Sequence, residues 1–197
     1  MSLAPAPPIL LASTSLQRRA ILEQLGIPFE VVEPHYEEHD PPDADPVELV
    51  RAHARGKALS VAERAGDRPV LGVDTTVVCG GRLYGKASGP EEAAAMLDAL
   101  GGTTHEVVSG LCLLTPSWEE LEHETTHVTF RPLTARDVAA YIASAEWEGR
   151  AGAYAIQGLG AELVERIDGD YLNVVGLPAA LLVRVLARRF AGLYKFG

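Results

Sequence analysis

The chain has only two cysteines among its 197 residues, Cys79 and Cys112, and they form no CxxC pair. That spacing excludes a disulfide framework and a cysteine-based zinc site. Both lie in apolar runs and are expected to be reduced core thiols. Basic residues are also scarce: 17 Lys and Arg stand against 27 Asp and Glu, for a formal net charge of −10. A chain so acidic lacks the spread of cations that counterion release on nucleic acid requires, so a nucleic-acid-binding module is disfavoured and any anion site must be local. No apolar run reaches the ~18 residues of a membrane span. Met1 to Pro8 carries no basic residue ahead of an apolar segment, unlike a signal peptide. A soluble, unexported, cytoplasmic protein is expected. There is no GxxxxGK[ST] loop, repeat, low-complexity tract or linker, so a single domain over 1–197 is expected, with room for two lobes.

What is present reads as mixed α/β. Residues 9–12 are an apolar strand running into Ser13-Thr14-Ser15, three good N-cap residues, then a helix Leu16–Leu25 stopped by Gly26. A second strand covers 29–33, and the acidic, proline-rich stretch 35–46 reads as a surface connection. Asp45-Pro46-Val47-Glu48 opens a helix to about Ala65. Residues 69–79 form a β-branched strand turned by Gly80-Gly81 into a short return over 82–85. A helix over Pro90–Leu100, strands over 106–114 and 125–131, a helix capped by Thr134 and Asp137, a glycine- and alanine-rich loop over 149–160, a strand over 161–167 and a helix opened by Pro178 complete the order.

Several residues sit badly in that scheme. Arg18 and Arg19 occupy the first turn of a helix, where the dipole favours acids, and an anionic ligand would resolve the conflict as well as a nearby acid would. Lys57 falls inside the apolar stripe Val50, Ala54, Ala58, Val61, so it either snorkels to the edge or meets a phosphate or carboxylate. Asp74 interrupts the apolar strand at 70–79 and must be paired, metal-bound or catalytic unless that strand is an edge in solvent. Glu33 ends its strand, Lys86 follows the hairpin, and Gln157 lies among glycines that permit close backbone approach. The histidine spacings do not point to metal ligation; His53 and His105 read as packed or hydrogen-bonded. Two arginines, two lysines and two carboxylates near element ends suggest a phosphate-handling site with a bridging cation.

These residues stand in segments that resemble the Maf family of nucleotide pyrophosphatases. The segments are Leu11-Ala12-Ser13-Thr14-Ser15 with Arg18, the run from Gly26 to Glu33, Ala54 to Ala58 around Lys57, Gly72-Val73-Asp74-Thr75, and Tyr84-Gly85-Lys86. They continue with His105 to Gly110, Ala151 to Gly158, and Gly169 to Pro178, spanning nearly the whole chain. The resemblance implies an elongated, two-lobed α/β fold with a central cleft, similar to inosine triphosphate pyrophosphatases, a divalent cation (Mg²⁺ or Mn²⁺), and a homodimer. It implies a nucleoside triphosphate substrate cut to its monophosphate and pyrophosphate. Asp74 matches the family's proton acceptor, as base, metal ligand or both, and Ser13, Arg18, Lys57 and Lys86 match substrate-binding positions. Glu33 with Asp74 matches the metal site.

Positions 17, 75 and 157 are where the family's branches differ in base preference. Thr75 and Gln157 resemble the branch acting on dTTP and UTP. Gln17 replaces that branch's arginine, and it also differs from the tryptophan of a branch acting on 7-methylguanosine triphosphate. Gly85-Lys86-Ala87 replaces the usual Gly-Lys-Pro. Pyrimidine triphosphates are the expected substrates, with 7-methylguanosine triphosphate or another modified nucleotide as the alternative, and a non-enzymatic regulator of septum formation as a rival from another class.

Overall fold

Helix α2 reaches its sheet through two glycines. A Cβ on Gly72 would lie 2.0 Å from the Ala54 carbonyl oxygen, and one on Gly110 would lie 2.2 Å from that of Val50. Only hydrogen fits at these positions, so the helix backbone rests against the strands. The small side chains of Ala54 and Ala58 complete the contact, and both are fully buried.

The structure, a computed structural model, describes residues 6–41 and 44–194. The reading of the N-terminal segment lies outside that range for residues 1–5, as does the part of the acidic connection at 42–43. The elements run β1 (Ile9–Leu11), α1 (Leu16–Leu25), β2 (Phe29–Val31), α2 (Pro46–Ala62), β3 (Val70–Cys79), β4 (Arg82–Tyr84), α3 (Pro90–Leu100), β5 (Thr104–Thr115), β6 (Trp118–Phe130) and α4 (Ala135–Ala143). A 3-10 helix (Gly158–Leu163), β7 (Val164–Asp168), α5 (Tyr171–Val175) and α6 (Ala179–Arg189) follow. The strands hydrogen-bond in the order β2-β1-β3-β5-β6-β7, with β4 on β3. The class is mixed α/β: β1 pairs in parallel with β2 and β3, whereas β3–β4 and β6–β7 are antiparallel.

Two compact units share these elements. The first holds residues up to Asp74, Ser109–Glu124 and the chain from Gly176; the second holds Thr75–Val108 and Thr125–Val175. The core of the first unit packs Leu10, Ala12, Ala54, Ala58, Val61, Val70 and Cys112. The second unit has its own core, in which Leu97, Leu100, Phe130, Tyr141 and Leu163 are fully buried or nearly so. Cys79 and Cys112 are both free thiols.

Local signals placed most boundaries. Ser15 accepts from the Arg18 amide at the start of α1, and Gly26 closes that helix at φ 65°. Asp45 caps α2, and Thr134 with Asp137 forms a capping box on α4. Gly80 and Gly81, both at positive φ, turn β3 into β4.

Three segments differ from expectation. β6 begins at Trp118 rather than 125, because the acidic stretch is drawn into the sheet and its Glu120 and Glu122 pair with Arg188 and Arg189 of α6. Residues 161–163 belong to the 3-10 helix rather than to a strand, and residues 171–175 form a short helix. Among the described residues no helix is long and apolar enough to cross a membrane.

Candidate active site

In the first unit, the turn after β1 folds back on itself. The Ser13 hydroxyl oxygen accepts from the Ser15 amide at 3.2 Å and from Arg18 Nη1 at 3.1 Å, while Arg18 Nε donates to the Gly176 carbonyl at 2.9 Å. Arg18 therefore does not extend from the first turn of α1 into solvent. It is locked beside Ser13, and Ser13 is 4% exposed. Burial lowers the Arg18 pKa from its ordinary value, against the opposing pull of Asp74 and Glu38. Arg19 is exposed. Gln17 accepts a hydrogen bond from the Ser15 hydroxyl at 3.1 Å.

The second feature of that unit is a charged cluster under α2. Lys57 Nζ lies 2.5 Å from Asp74 Oδ1 and 2.6 Å from Glu38 Oε1, bridging the two carboxylates. The other Asp74 oxygen, Oδ2, faces His53 Nδ1 at 3.4 Å, and His53 Nε2 lies 3.3 Å from the His39 carbonyl. His53 and Lys57 are one helical turn apart and lie on the same face of α2. Because Gly72 lets that face approach β3, both reach Asp74 two residues further along the strand. Tyr36 packs edge-on against His53, with ring centroids 5.7 Å apart, and covers Gly56 closely enough that a Cβ there would strike its ring.

Charge balance governs this cluster. Burial pushes the Asp74 carboxyl up, but the His53 hydrogen bond, the Lys57 ammonium and the Arg18 guanidinium outweigh it and hold the group far below the usual carboxylate range. Asp74 is thus an anion at any working pH. The hydrogen bond that His53 donates to the Asp74 carboxylate raises the His53 pKa against the lowering effect of burial. Ligand atoms of Glu38, His53 and Asp74 all lie within 4.8 Å of one another. Two carboxylates with an imidazole fit a divalent cation that favours oxygen donors.

Lys57 and Asp74, singled out separately in the sequence, meet directly, and Ser13 and Arg18 meet each other. Glu33 does not join them: it is exposed just beyond β2 and is not one of the three clustered residues. Sequence reasoning did not single out Glu38, which lies in the acidic connection at 35–46, and it read His53 only as packed or hydrogen-bonded. The available signal was the i, i+4 spacing of His53 and Lys57 on a buried stripe.

Other expected positions fall in the second unit. Thr75 follows Asp74 on β3 and is half-buried. Lys86 is exposed and bridges in antiparallel fashion to Ala151. Gln157 is exposed and is the N-cap of the 3-10 helix, where its side chain makes no capping hydrogen bond.

Comparison with known proteins gives this geometry its setting. The model of the family described as Maf-like protein matches residues 8–189. A protein of Gloeobacter violaceus named dTTP/UTP pyrophosphatase is 47% identical over 179 residues, 91% of this chain and 94% of that one. One of the same name from Deinococcus radiodurans is 43% identical over 192 residues, 98% and 97% of the two chains. A solved HAM1 protein from Coxiella burnetii is 17% identical at a TM-score of 0.48, covering 92% of this chain and 99% of that one; the α/β class rests on the chain's own elements. A family match from residue 8 to residue 189, with relatives above 40% identity along nearly the full length, makes this chain a member of the Maf-like protein family.

Proposed function

We propose that the protein is a nucleoside triphosphate pyrophosphatase that hydrolyses the α–β phosphoanhydride of dTTP, UTP or a modified pyrimidine nucleotide to the monophosphate and pyrophosphate. The observation that carries this reading is the buried Asp74 carboxylate, held ionised by Lys57 and His53 beside Glu38, in a chain whose relatives bear the name dTTP/UTP pyrophosphatase.

The residues divide the work by chemistry. Arg18 offers a planar fork suited to phosphate oxygens, and the Ser13 hydroxyl and the start of α1 add donors beside it. Lys57 carries a compact charge that shifts from carboxylate to phosphate when an anion enters. Glu38 and Asp74, with His53 in reach, would hold a divalent cation, which would neutralise phosphate charge and make water beside it more acidic. As Lys57 turns to the phosphate, Asp74 loses one of the partners that hold it low, so it can orient the attacking water and accept its proton as well as hold the cation. Water then forms a bond to the α-phosphorus, giving its proton to Asp74, as the bond to the pyrophosphate oxygen breaks and pyrophosphate leaves. Lys86 is assigned to the triphosphate by the family resemblance. Glu33, which the same resemblance assigns to the metal, lies outside the cluster, and Glu38 takes that role in this reading.

For the base, Thr75 and Gln157 each both donate and accept hydrogen bonds, which suits the polar edge of a pyrimidine. Gln17 supplies a neutral amide in place of a cationic fork, so pyrimidine preference is expected to be shallower than with arginine.

The test is product analysis. Purified protein with Mg²⁺ or Mn²⁺ and a panel of nucleoside triphosphates in ¹⁸O water should release unlabelled pyrophosphate and labelled monophosphate, fastest with dTTP or UTP. Release of orthophosphate with a diphosphate, or no turnover on any nucleotide, would overturn the reading.

A further inference from the structure

The turn that presents Gln157 is capped from elsewhere. A Ser, Thr, Asp or Asn at the N-cap ordinarily satisfies an amide two or three positions further on with its own side chain. Gln157 is the N-cap of the 3-10 helix Gly158–Leu163, yet it forms no such bond. The two amides are taken by Glu146: Oε1 accepts from Leu159 at 3.1 Å and Oε2 from Gly160 at 3.2 Å. One carboxylate thus does, through both oxygens, what the Gln157 side chain would otherwise be recruited to do.

The surrounding chain is shaped for that contact. Gly158 adopts φ +73°, and a Cβ there would lie 2.5 Å from Glu146 Oε1, so glycine is needed for the carboxylate to come so close. On the other side of Gln157, the Ala155 amide donates to the Tyr141 hydroxyl at 2.9 Å. Gln157 therefore stands between two anchors, one provided by α4 and one by the turn just after it. Ala145 and Ala153 are the non-glycine residues with positive φ among those described, at 60° and 56°. One immediately precedes Glu146 and the other opens the segment that Tyr141 holds. L-residues rarely adopt that region, and here the strain falls on the backbone that aims the cap.

We propose that Glu146 is a positioning residue for substrate selection: by capping the first turn of the 3-10 helix in place of Gln157, it leaves the Gln157 amide available to the nucleobase and fixes where that amide points. This rests on the reading above that Gln157 contacts the base. The chemistry it serves is a pyrimidine edge bearing both a donor and an acceptor, which a side-chain amide matches in one orientation. Without the cap, the Gln157 side chain turns back onto the Leu159 and Gly160 amides and no longer offers that orientation.

A double-mutant cycle tests it. The quantity read is the ratio of kcat/KM for UTP to that for GTP, in wild type, Gln157→Ala, Glu146→Ala and the double variant, with thermal unfolding as a control for folding. Each single variant should lower the ratio by roughly 5- to 10-fold, the scale of one neutral hydrogen bond. The double variant should lose no more than either alone. Glu146→Gln, which keeps one acceptor for one amide, should fall between, and it carries the test if Glu146→Ala does not fold. A ratio that falls for Gln157→Ala and holds for Glu146→Ala overturns the positioning role and leaves the base contact standing. A ratio unmoved by Gln157→Ala overturns the base contact, and the positioning role with it. Losses that multiply in the double variant show Glu146 acting independently of Gln157, which also overturns the proposal.

Discussion

The polar groups of the two units are held in place by opposite means. In the first, Lys57, Asp74 and His53 are charged or chargeable groups brought together in a largely buried position, with Glu38 at the exposed rim, each compensating another. In the second, Gln157 is neutral and exposed, and its geometry comes from backbone amides tied to Glu146 and Tyr141. A buried ion cluster fixes protonation and charge at the expense of desolvation. A tethered loop fixes direction at the expense of backbone strain. In the proposed reading the first arrangement would handle phosphate and metal, and the second would discriminate among bases.

Breaking the charge side should have the largest effect. Asp74→Asn keeps the shape but removes the anion that Lys57 and His53 face, so turnover should fall by roughly 10² to 10⁴ while the nucleotide still binds. Steady-state kinetics with isothermal titration of dTTP or UTP checks this. Turnover within a few-fold of wild type would remove Asp74 from the chemistry.

The second unit contains a buried titrating group of the contrary kind, and pH sharpens the contrast. His105 is 1% exposed, hydrogen-bonds Tyr154 Oη at 2.9 Å, and stacks edge-on against Phe130 at 4.9 Å. Burial alone pushes its pKa down to about 4. The folded protein keeps it neutral, whereas the unfolded chain protonates it below about 6.5. Its contribution is therefore complete above pH 6.5 and is lost as pH falls toward 4, in all about 3 kcal/mol. Denaturant unfolding at pH 7, 5 and 4 should show that loss, and His105→Gln should flatten it. An equal slope in both proteins would place the pH sensitivity elsewhere.

The smallest of these effects probes how the charge cluster is assembled. Gly72→Ala puts a methyl group where the Ala54 carbonyl oxygen now sits, so α2 must shift away from β3, with about 1 to 3 kcal/mol of destabilisation expected. Lys57 and His53 move with α2, and activity should fall beyond what the stability loss alone causes. Stability and activity both unchanged would mean that the close approach is dispensable.

How far each region was legible follows from how local its rules are. The helix ends were written in Ser15, Gly26, Asp45 and Thr134, because capping acts within three or four residues. Lys57 and Asp74 were marked as misfits in apolar patterns, which is information a stripe or an alternation contains. Glu38 was not marked, since an acid in an acidic loop breaks no pattern, and Glu33 drew notice by ending a strand and by the family resemblance. Glu146 was equally silent, because its acceptors serve amides 13 and 14 residues away.

The sequence by itself determined the α/β order, most element boundaries and the family, since each depends on short-range backbone preference or on residues read in order along the chain. It also determined that certain charges needed a partner. Which partner each received was decided only by tertiary structure. Lys57 meets Asp74 across 17 positions because two glycines let a helix backbone rest on its strands. The identity of a buried charge's neighbour depends on where elements pack, and hydrophobic patterning specifies which faces pack without specifying which polar atoms then fall within reach.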